Sequence, residues 1–432
     1  MTILMSFWIL SIAKFTCKKY TEGSMSLTHD NIIEVVIYRL SSIGDVVLAT
    51  ACLDLLKCAS LKASSNSSAS TSVKFKATFI GRSPALDLIK NTYPDVTTVE
   101  LPKPLNRAKQ LDIIDKIKSV HLVIDLQTNL KSFLFCRALA KKRGSLVFRA
   151  KKEGGRRLRL VLMARLRGRL ADISNSPKSL KKIEKRQYQM MLDPLIKGIQ
   201  SIVKTAVPRE AVPHLPLERE TALNALNKFN NKIDLTPSSI SWLSVAVGAS
   251  HETKRAPTDI FINILKALNN SLEKQRAENL THLPQLPGLI FLGDQNDIVI
   301  GDQVIQQLEK ELHWPSPMIN FTGQCTLFET AALLKLSDAL LSNDSSLGHI
   351  AEAVDTPTAI LFGPTIETFG FAPRMTNING SRESKAFSSP LGCRPCSRHG
   401  KKTCRYGDQK CFYDIDVDKV ALHLIKLLKN KT

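Results

Sequence analysis

The sequence predicts an α/β protein built as two doubly wound domains that face each other across a cleft. Three observations carry this. Short β-branched apolar runs alternate with helix-like segments from Glu34 to Leu126, and the same alternation resumes from Trp242 to Phe362. Between them lies a stretch without helical periodicity, AVPREAVPHLPLERE, punctuated by Pro208, Pro213 and Pro216. Strands that alternate with helices pair in parallel, and such sheets carry their working loops at the carboxyl ends of the strands. A chain of 432 residues can bury one core in each of two such domains without covalent staples.

Composition narrows the partners. With 43% apolar and 23% charged residues the chain reads as ordinary globular protein. The 60 Lys and Arg against 39 Asp and Glu give a formal charge of +21, which calls for an acidic partner: nucleic acid, a phosphorylated small molecule or an anionic membrane surface. Cys17, Cys52, Cys58, Cys136 and Cys325 are too scattered for a disulfide framework. The first thirteen residues, MTILMSFWILSIA, are too short to span a bilayer and lack the preceding basic residues of a signal peptide. Residues 1–31 are expected to be an N-terminal extension, with Met25 rather than Met1 as the functional start.

Taken in order, EVVIY (Glu34 to Tyr38) is a buried first strand running into Arg39-Leu40-Ser41-Ser42-Ile43-Gly44-Asp45, and helical apolar spacing follows from Val46 to Leu56. Gly44 permits a tight turn and Asp45 falls at the helix start, as a cap or as a working carboxylate. ASSNSSASTS (residues 63–72) reads as a surface loop. Strands are expected at Lys74 to Ile80, Thr98 to Leu101 and Val120 to Leu126, the last delivering Asp125, Gln127 and Lys131 to the edge that carries Asp45. From Lys141 to Arg169 twelve residues are Lys or Arg with Leu and Val between them, a basic amphipathic surface for a phosphorylated or membrane-bound partner. No Trp or Tyr lies in it, so nucleic acid, which would want stacking rings, is not the expected partner.

In the second half, strands are expected at Trp242 to Val247, Leu289 to Leu292, Ile319 to Phe321, Ala339 to Leu341 and Thr358 to Phe362. The loop Gly248 to Pro257 brings Lys254 to the cleft, and Gly293 to Asp297 offers carboxylates suited to a ribose or to a surface turn. In SNDSSLGHIAEAVDTPTAILFGPT, Ser345 and Ser346 open a helix at the carboxyl edge, where free N–H groups favour a phosphate. Simple capping by Asp344 and Ser345, with His349 in the core, is the alternative. The last helical spacing, Ile415 to Leu428, has no onward partner.

Four of these motifs, in this order, resemble glycosyltransferase family 9, the bacterial heptosyltransferases of the lipopolysaccharide inner core: RLSSIGDVVLAT (Arg39 to Thr50), DLQTNLKS (Asp125 to Ser132), GASHETKRAP (Gly248 to Pro257) and the run from Thr322 to Thr365. The resemblance implies a GT-B architecture with an acceptor-binding domain over 32–205, a linker over 206–220 and a nucleotide-sugar-binding domain over 221–385. It further implies that the segment 386–432 ends in a helix packing back on the first domain. It implies Asp45 as general base and Ser250, Lys254, Ser345, Ser346, Leu347 and His349 around the donor phosphates. Asp344 would hold the donor sugar, and Gln127 and Lys131 the acceptor. It implies an ADP-heptose donor, a lipid A–Kdo acceptor at the inner face of the inner membrane, a cytoplasmic site of action, and no required cofactor or metal. Where the family usually has Gly after the Asp-Ser pair, this chain has Ser346, whose Cβ bears on how closely backbone approaches a pyrophosphate. Another nucleotide sugar on the same fold, or a non-enzymatic polyanion-binding protein, are the alternatives. Finally, Cys393, Cys396, Cys404 and Cys411 cluster closely enough to hold one structural zinc, with a disulfide or reduced thiols as the other readings.

Overall fold

The computed structural model describes residues 32–65, 73–104, 106–170, 185–203, 207, 210–233, 240–278, 285–373, 383–400 and 403–429. The expected N-terminal extension and most of the serine-rich loop lie outside the described residues. The first sheet comprises β1 (Ile32–Tyr38), β2 (Lys74–Gly81), β3 (Thr97–Glu100), β4 (Leu122–Asp125) and β5 (Leu146–Arg149), in the order β3-β2-β1-β4-β5. The second comprises β6 (Trp242–Ala246), β7 (Gly288–Leu292), β8 (Met318–Asn320), β9 (Ala339–Asn343), β10 (Thr358–Phe362) and β11 (Lys385–Ser388), in the order β11-β10-β9-β6-β7-β8. Every pairing is parallel. In each sheet the order reverses beside the first strand, between β1 and β4 and between β6 and β9, and a crevice opens at such points.

Between the strands of the first half run α1 (Ile43–Ser65), α2 (Ala85–Thr92), α3 (Arg107–Lys116) and α4 (Leu130–Arg143), followed by α5 (Gly154–Leu170) and α6 (Gln187–Val203). The second half holds α7 (Arg219–Ala225), α8 (Thr258–Ala277), α9 (Ile298–Leu312), α10 (Leu327–Leu336), α11 (Ser346–Ala353), α12 (Lys410–Tyr413) and α13 (Val417–Lys429). The basic stretch from Lys141 to Arg169 spans the end of α4, edge strand β5 and helix α5. Leu146 and Phe148 point inward and Val147 and Arg149 outward, a four-residue alternation that the surrounding bases masked. Strand β11, another short edge strand, runs past the boundary expected at 385.

One apolar core runs through both halves. Val46, Val47 and Leu53 of α1 share a cluster with Ile350, Ala351 and Val354 at α11 and with Ala331 and Leu334 of α10. The proline-bearing stretch is part of that seam: Leu215 N donates to Ala353 O at 2.7 Å and His214 N to Thr50 Oγ1 at 3.0 Å. An extended segment with few free backbone groups can be buried here because its neighbours supply the partners. The two sheet edges are therefore held in one place relative to each other.

The terminal helix corrects the expectation from sequence. Helix α13 does not pack back on the first domain: Val420, Ala421, Leu424 and Leu427 join Leu243, Val245, Leu341 and Leu361 of the second sheet and Phe261 and Ile264 of α8. Its i, i+1, i+4, i+7, i+8 stripe matches the apolar face of the sheet that α8 only partly covers, and the preceding segment is already tied to that sheet. On α13, His423 lies 5.6 Å from the Phe387 ring, and burial, then Lys385 and Lys426, push it down from 6.5 to about 4. Because the unfolded chain gains this proton first on acidification, the helix loses stability as pH falls from 6.5 to 4, by about 2 kcal/mol after discounting for solvent screening. Thermal melts of His423→Phe against pH should be flatter across that window.

Candidate functional site

At the first switch point, β1 hands over to α1 through Arg39 to Ser42. Arg39 is buried and its Nη1 donates to Leu126 O at 2.6 Å, while its Nη2 pairs with Asp45 Oδ2. Ser42 N and Oγ also donate to Asp45 Oδ2, at 3.3 and 3.1 Å. Asp45 thus closes the helix start as a cap would, yet these contacts all fall on Oδ2, and the side chain is 17% exposed. Gln127 Oε1 accepts from Leu40 N at 3.0 Å and Ser41 N at 3.4 Å, tying the β4 loop to the β1 loop. Lys131 stands exposed in the first turn of α4. Asp125 is fully buried and structural, accepting from Gln127 N, Thr128 N, Ser132 Oγ and Arg149 Nε at 2.8–3.0 Å.

At the second switch point, Lys254 Nζ meets Asp344 Oδ2 at 2.7 Å, with both side chains nearly buried. Thr365 Oγ1 donates to the same Oδ2 at 2.6 Å. Burial pushes the Asp344 carboxyl up, but the Lys254 charge and the hydrogen bonds from Lys254 and Thr365 outweigh it and hold the group below its ordinary value. Ser345 is the N-cap residue of α11 but makes no capping bond; its Oγ bonds Ser342 Oγ at 3.1 Å instead. The capping alternative therefore fails for Ser345 and for Asp344, and the opening N–H groups of α11 are left to another acceptor. Ser346 and Leu347 form the first turn, and Leu347 packs on the shared core. Burial drives His349 below its ordinary value against the pull of Asp344 and Asp45. Ser250 is exposed in the loop that carries Lys254.

Gly44 is where the two switch points meet. A Cβ there would lie 2.9 Å from His349 Cδ2 and 3.7 Å from Ser346 Cβ, so the start of α1 rests directly on the start of α11. Asp45 and Asp344 both act on His349 electrostatically, as does Lys254. Ser346, where the family usually has glycine, has room for its Cβ because position 44 has none. Gly44→Ala should cost about 1–2 kcal/mol by forcing this contact apart, read as a lowered melting temperature.

Of the carboxylates in the Gly293 to Asp297 turn, Asp297 is engaged: buried, it accepts from Asp294 N at 2.9 Å and pairs with Arg255 at 3.0 Å. Asp294 caps the turn through Oδ1, which accepts from Asn296 N at 2.8 Å, and stays exposed. An important residue that sequence reading passed over is Arg394. Fully sequestered, it donates to Gly363 O (2.5 Å), Thr365 O (2.7 Å), Phe362 O (2.9 Å) and Ser389 O, gripping the loop that presents Thr365 to Asp344. Cys396 N donates to Pro364 O at 2.9 Å in the same grip. The Cys396 hydrogen bond pushes the Cys393 thiol down to about 7. The four clustered cysteines are free thiols, and among the described residues no group of three or more His, Cys, Asp or Glu is arranged to hold a metal.

Two parallel sheets with switch-point crevices facing each other, one bearing a carboxylate and the other an uncapped helix start beside a buried lysine, give the chain a GT-B type architecture of two Rossmann-like halves. Residues 278–406 match the sequence model of glycosyltransferase family 9 (heptosyltransferase). The chain is similar to that family over 129 of its 432 residues. It is 37% identical over 75 residues to lipooligosaccharide heptosyltransferase 2 of Haemophilus influenzae, covering 17% of this chain and 21% of that one. It is 28% identical over 142 residues to lipooligosaccharide heptosyltransferase 2 of Campylobacter jejuni, covering 33% of this chain and 41% of that one. The matched stretches thus span from about a fifth to two fifths of those relatives' lengths. The fold is similar to that of the E. coli ADP-heptose lps heptosyltransferase II, with a TM-score of 0.55 at 16% identity over 92% of this chain and 98% of that one.

Proposed function

We propose that the chain is an inverting glycosyltransferase that moves a heptose from ADP-heptose to the lipid A–Kdo inner core of lipopolysaccharide, at the cytoplasmic face of the inner membrane. The observation that carries this is the abutment of the two helix starts. It sets the Asp45 carboxylate of one half against the uncapped N-terminus of α11 and the Lys254–Asp344 pair of the other. The names of the matched relatives and the ADP-heptose of the E. coli protein support the choice of sugar.

In the proposed reaction, Asp45 takes the proton from an acceptor hydroxyl as that oxygen bonds to the anomeric carbon and the bond to the diphosphate breaks. Arg39 and Ser42 hold Oδ2 and leave Oδ1 toward the hydroxyl. Charge developing on the leaving diphosphate is met by Lys254, by the N–H groups of Ser346 and Leu347, and by the Ser345 and Ser250 hydroxyls. Asp344 keeps the Lys254 ammonium in position, and its remaining oxygen is available to a sugar hydroxyl. Lys131 and Lys152, the latter's ammonium lowered by burial and by Arg39, serve the acidic acceptor.

The test is turnover of ADP-heptose with lipid A–Kdo, following the heptosylated product by mass spectrometry. Product is expected with this pair and not with a UDP-hexose; product only with UDP-hexose would transfer the fold to another sugar. With lysine and helix N–H groups meeting the diphosphate, the rate should change less than twofold when a chelator is added. A loss above tenfold would overturn the metal-independent mechanism.

A further inference from the structure

Helix α5 has an apolar face left exposed among the described residues. Its inner side is packed: Val161 lies against Ile366 and Phe369, Ala164 is buried, and Arg157 donates to Phe369 O and Gln187 Oε1 at 2.7 Å while stacking 4.8 Å from the Phe371 ring. Its outer side carries Leu158, Leu162, Met163 and Leu166, exposed by 46, 47, 45 and 50%. At 3.6 residues per turn, Leu158, Leu162 and Leu166 fall within an arc of about 80°, and Arg159 and Arg165 stand at its two edges. Both arginines are exposed. Over residues 141–169, Glu153 is the one acidic residue among twelve bases, and it is paired with Arg156.

A second patch of the same character lies on the neighbouring element. Strands β4 and β5 are adjacent and parallel, so α4 and the lead into α5 leave the sheet at the same edge. There Leu130 and Leu134, one turn apart on α4, are exposed by 72 and 54%, beside exposed Lys131.

An apolar stripe flanked by guanidinium groups, on a chain of formal charge +21, is complementary to an anionic lipid surface. The leucines enter the boundary between headgroups and acyl chains, and the bases meet lipid phosphates. A water-facing role would leave the stripe solvated without benefit, and a nucleic-acid backbone would give the leucines nothing to bury against. We propose that the outer face of α5, continued by Leu130 and Leu134, docks the protein on an anionic phospholipid bilayer with α5 lying in the interface plane. From the opposite side of the helix, Arg157 ties α5 to the Phe369–Phe371 loop of the second half. The proposal deepens the reading of a lipid-anchored acceptor and rests on it: a docked enzyme reaches its acceptor without extracting it.

The experiment is co-sedimentation of the full chain with vesicles of phosphatidylcholine alone or rich in phosphatidylglycerol, without donor or acceptor. Binding to the anionic vesicles is expected, weakened by high salt. It should fall about tenfold or more in a Leu158→Ser, Leu162→Ser, Leu166→Ser variant. An Arg159→Ser, Arg165→Ser variant, which leaves the apolar stripe intact, should lose binding to anionic vesicles specifically. Unchanged ADP affinity and melting temperature verify that the variants are folded. Equal vesicle binding by parent and variants overturns the proposal. So does a parent that ignores vesicles, or one whose serine variant shifts from dimer to monomer in ultracentrifugation, which would make a second copy the occupant. Vesicle binding without heptosyl transfer would sink the functional reading and leave docking intact, and transfer to a delipidated acceptor without vesicle binding would do the reverse.

Discussion

Asp45→Asn should reduce heptosyl transfer by about a thousandfold while ADP affinity stays within about twofold of the parent, because a positioned base contributes on the order of 10²–10⁴ and touches the donor phosphates not at all. Asparagine keeps the shape of the side chain and can still accept from Ser42, so the α1 start survives. What it loses is the capacity to take a proton, together with half of the ion pair to Arg39. Single-turnover rates with saturating donor, set beside calorimetric ADP binding, separate the two. Transfer within tenfold of the parent would remove Asp45 as the base and leave it the helix-closing residue it also is.

Lys254→Ala should act on the opposite side of the reaction. Donor affinity is expected to fall about a hundredfold, since Asp344 holds the ammonium beside the α11 start, and hydrogen bonds to charged groups are worth about 1.5–3 kcal/mol each. The substitution also strands Asp344 in the interior. Removing one partner of a buried pair costs on the order of 3–5 kcal/mol, so the melting temperature should drop as well. Lys254→Ala with Asp344→Asn distinguishes the effects: stability should return in large part because the buried charge is gone, while donor affinity stays low because the ammonium is still missing. If calorimetry finds ADP bound as tightly by the double variant as by the parent, Lys254 is a structural partner of Asp344 and not a phosphate ligand.

The parts of this molecule that local chemistry dictates were legible from its residues. EVVIY and TAILF have no polar face, so they read as buried strands wherever they occur, and both are. Gly44 before Asp45 reads as a tight strand-to-helix turn; the structure makes that turn at Arg39 to Ser42 and puts Gly44 and Asp45 in the first turn of α1. The proline-bearing stretch reads as the connection between two halves. Less was visible where a neighbour decides. Edge strands β5 and β11 are four residues each and take their identity from the strand they pair with, so charged surroundings hid them.

The amino-acid sequence by itself determined that there are two parallel α/β halves and which loops, those of Asp45, Gln127, Lys254 and Ser345, reach the working edges, because periodicity and turn chemistry act over a few residues. Only the tertiary structure decided what those loops do to one another. It bound Gln127 to the β1 loop, paired Lys254 with Asp344, left the α11 start uncapped, turned α13 onto the second sheet and hid Arg394 under the Thr365 loop. Apart from the α11 start, where Ser345 bonds nearby Ser342, these outcomes join groups far apart along the chain. Which buried polar group finds which partner is settled by the need of every desolvated charge and amide for a complement, a condition that no local pattern encodes.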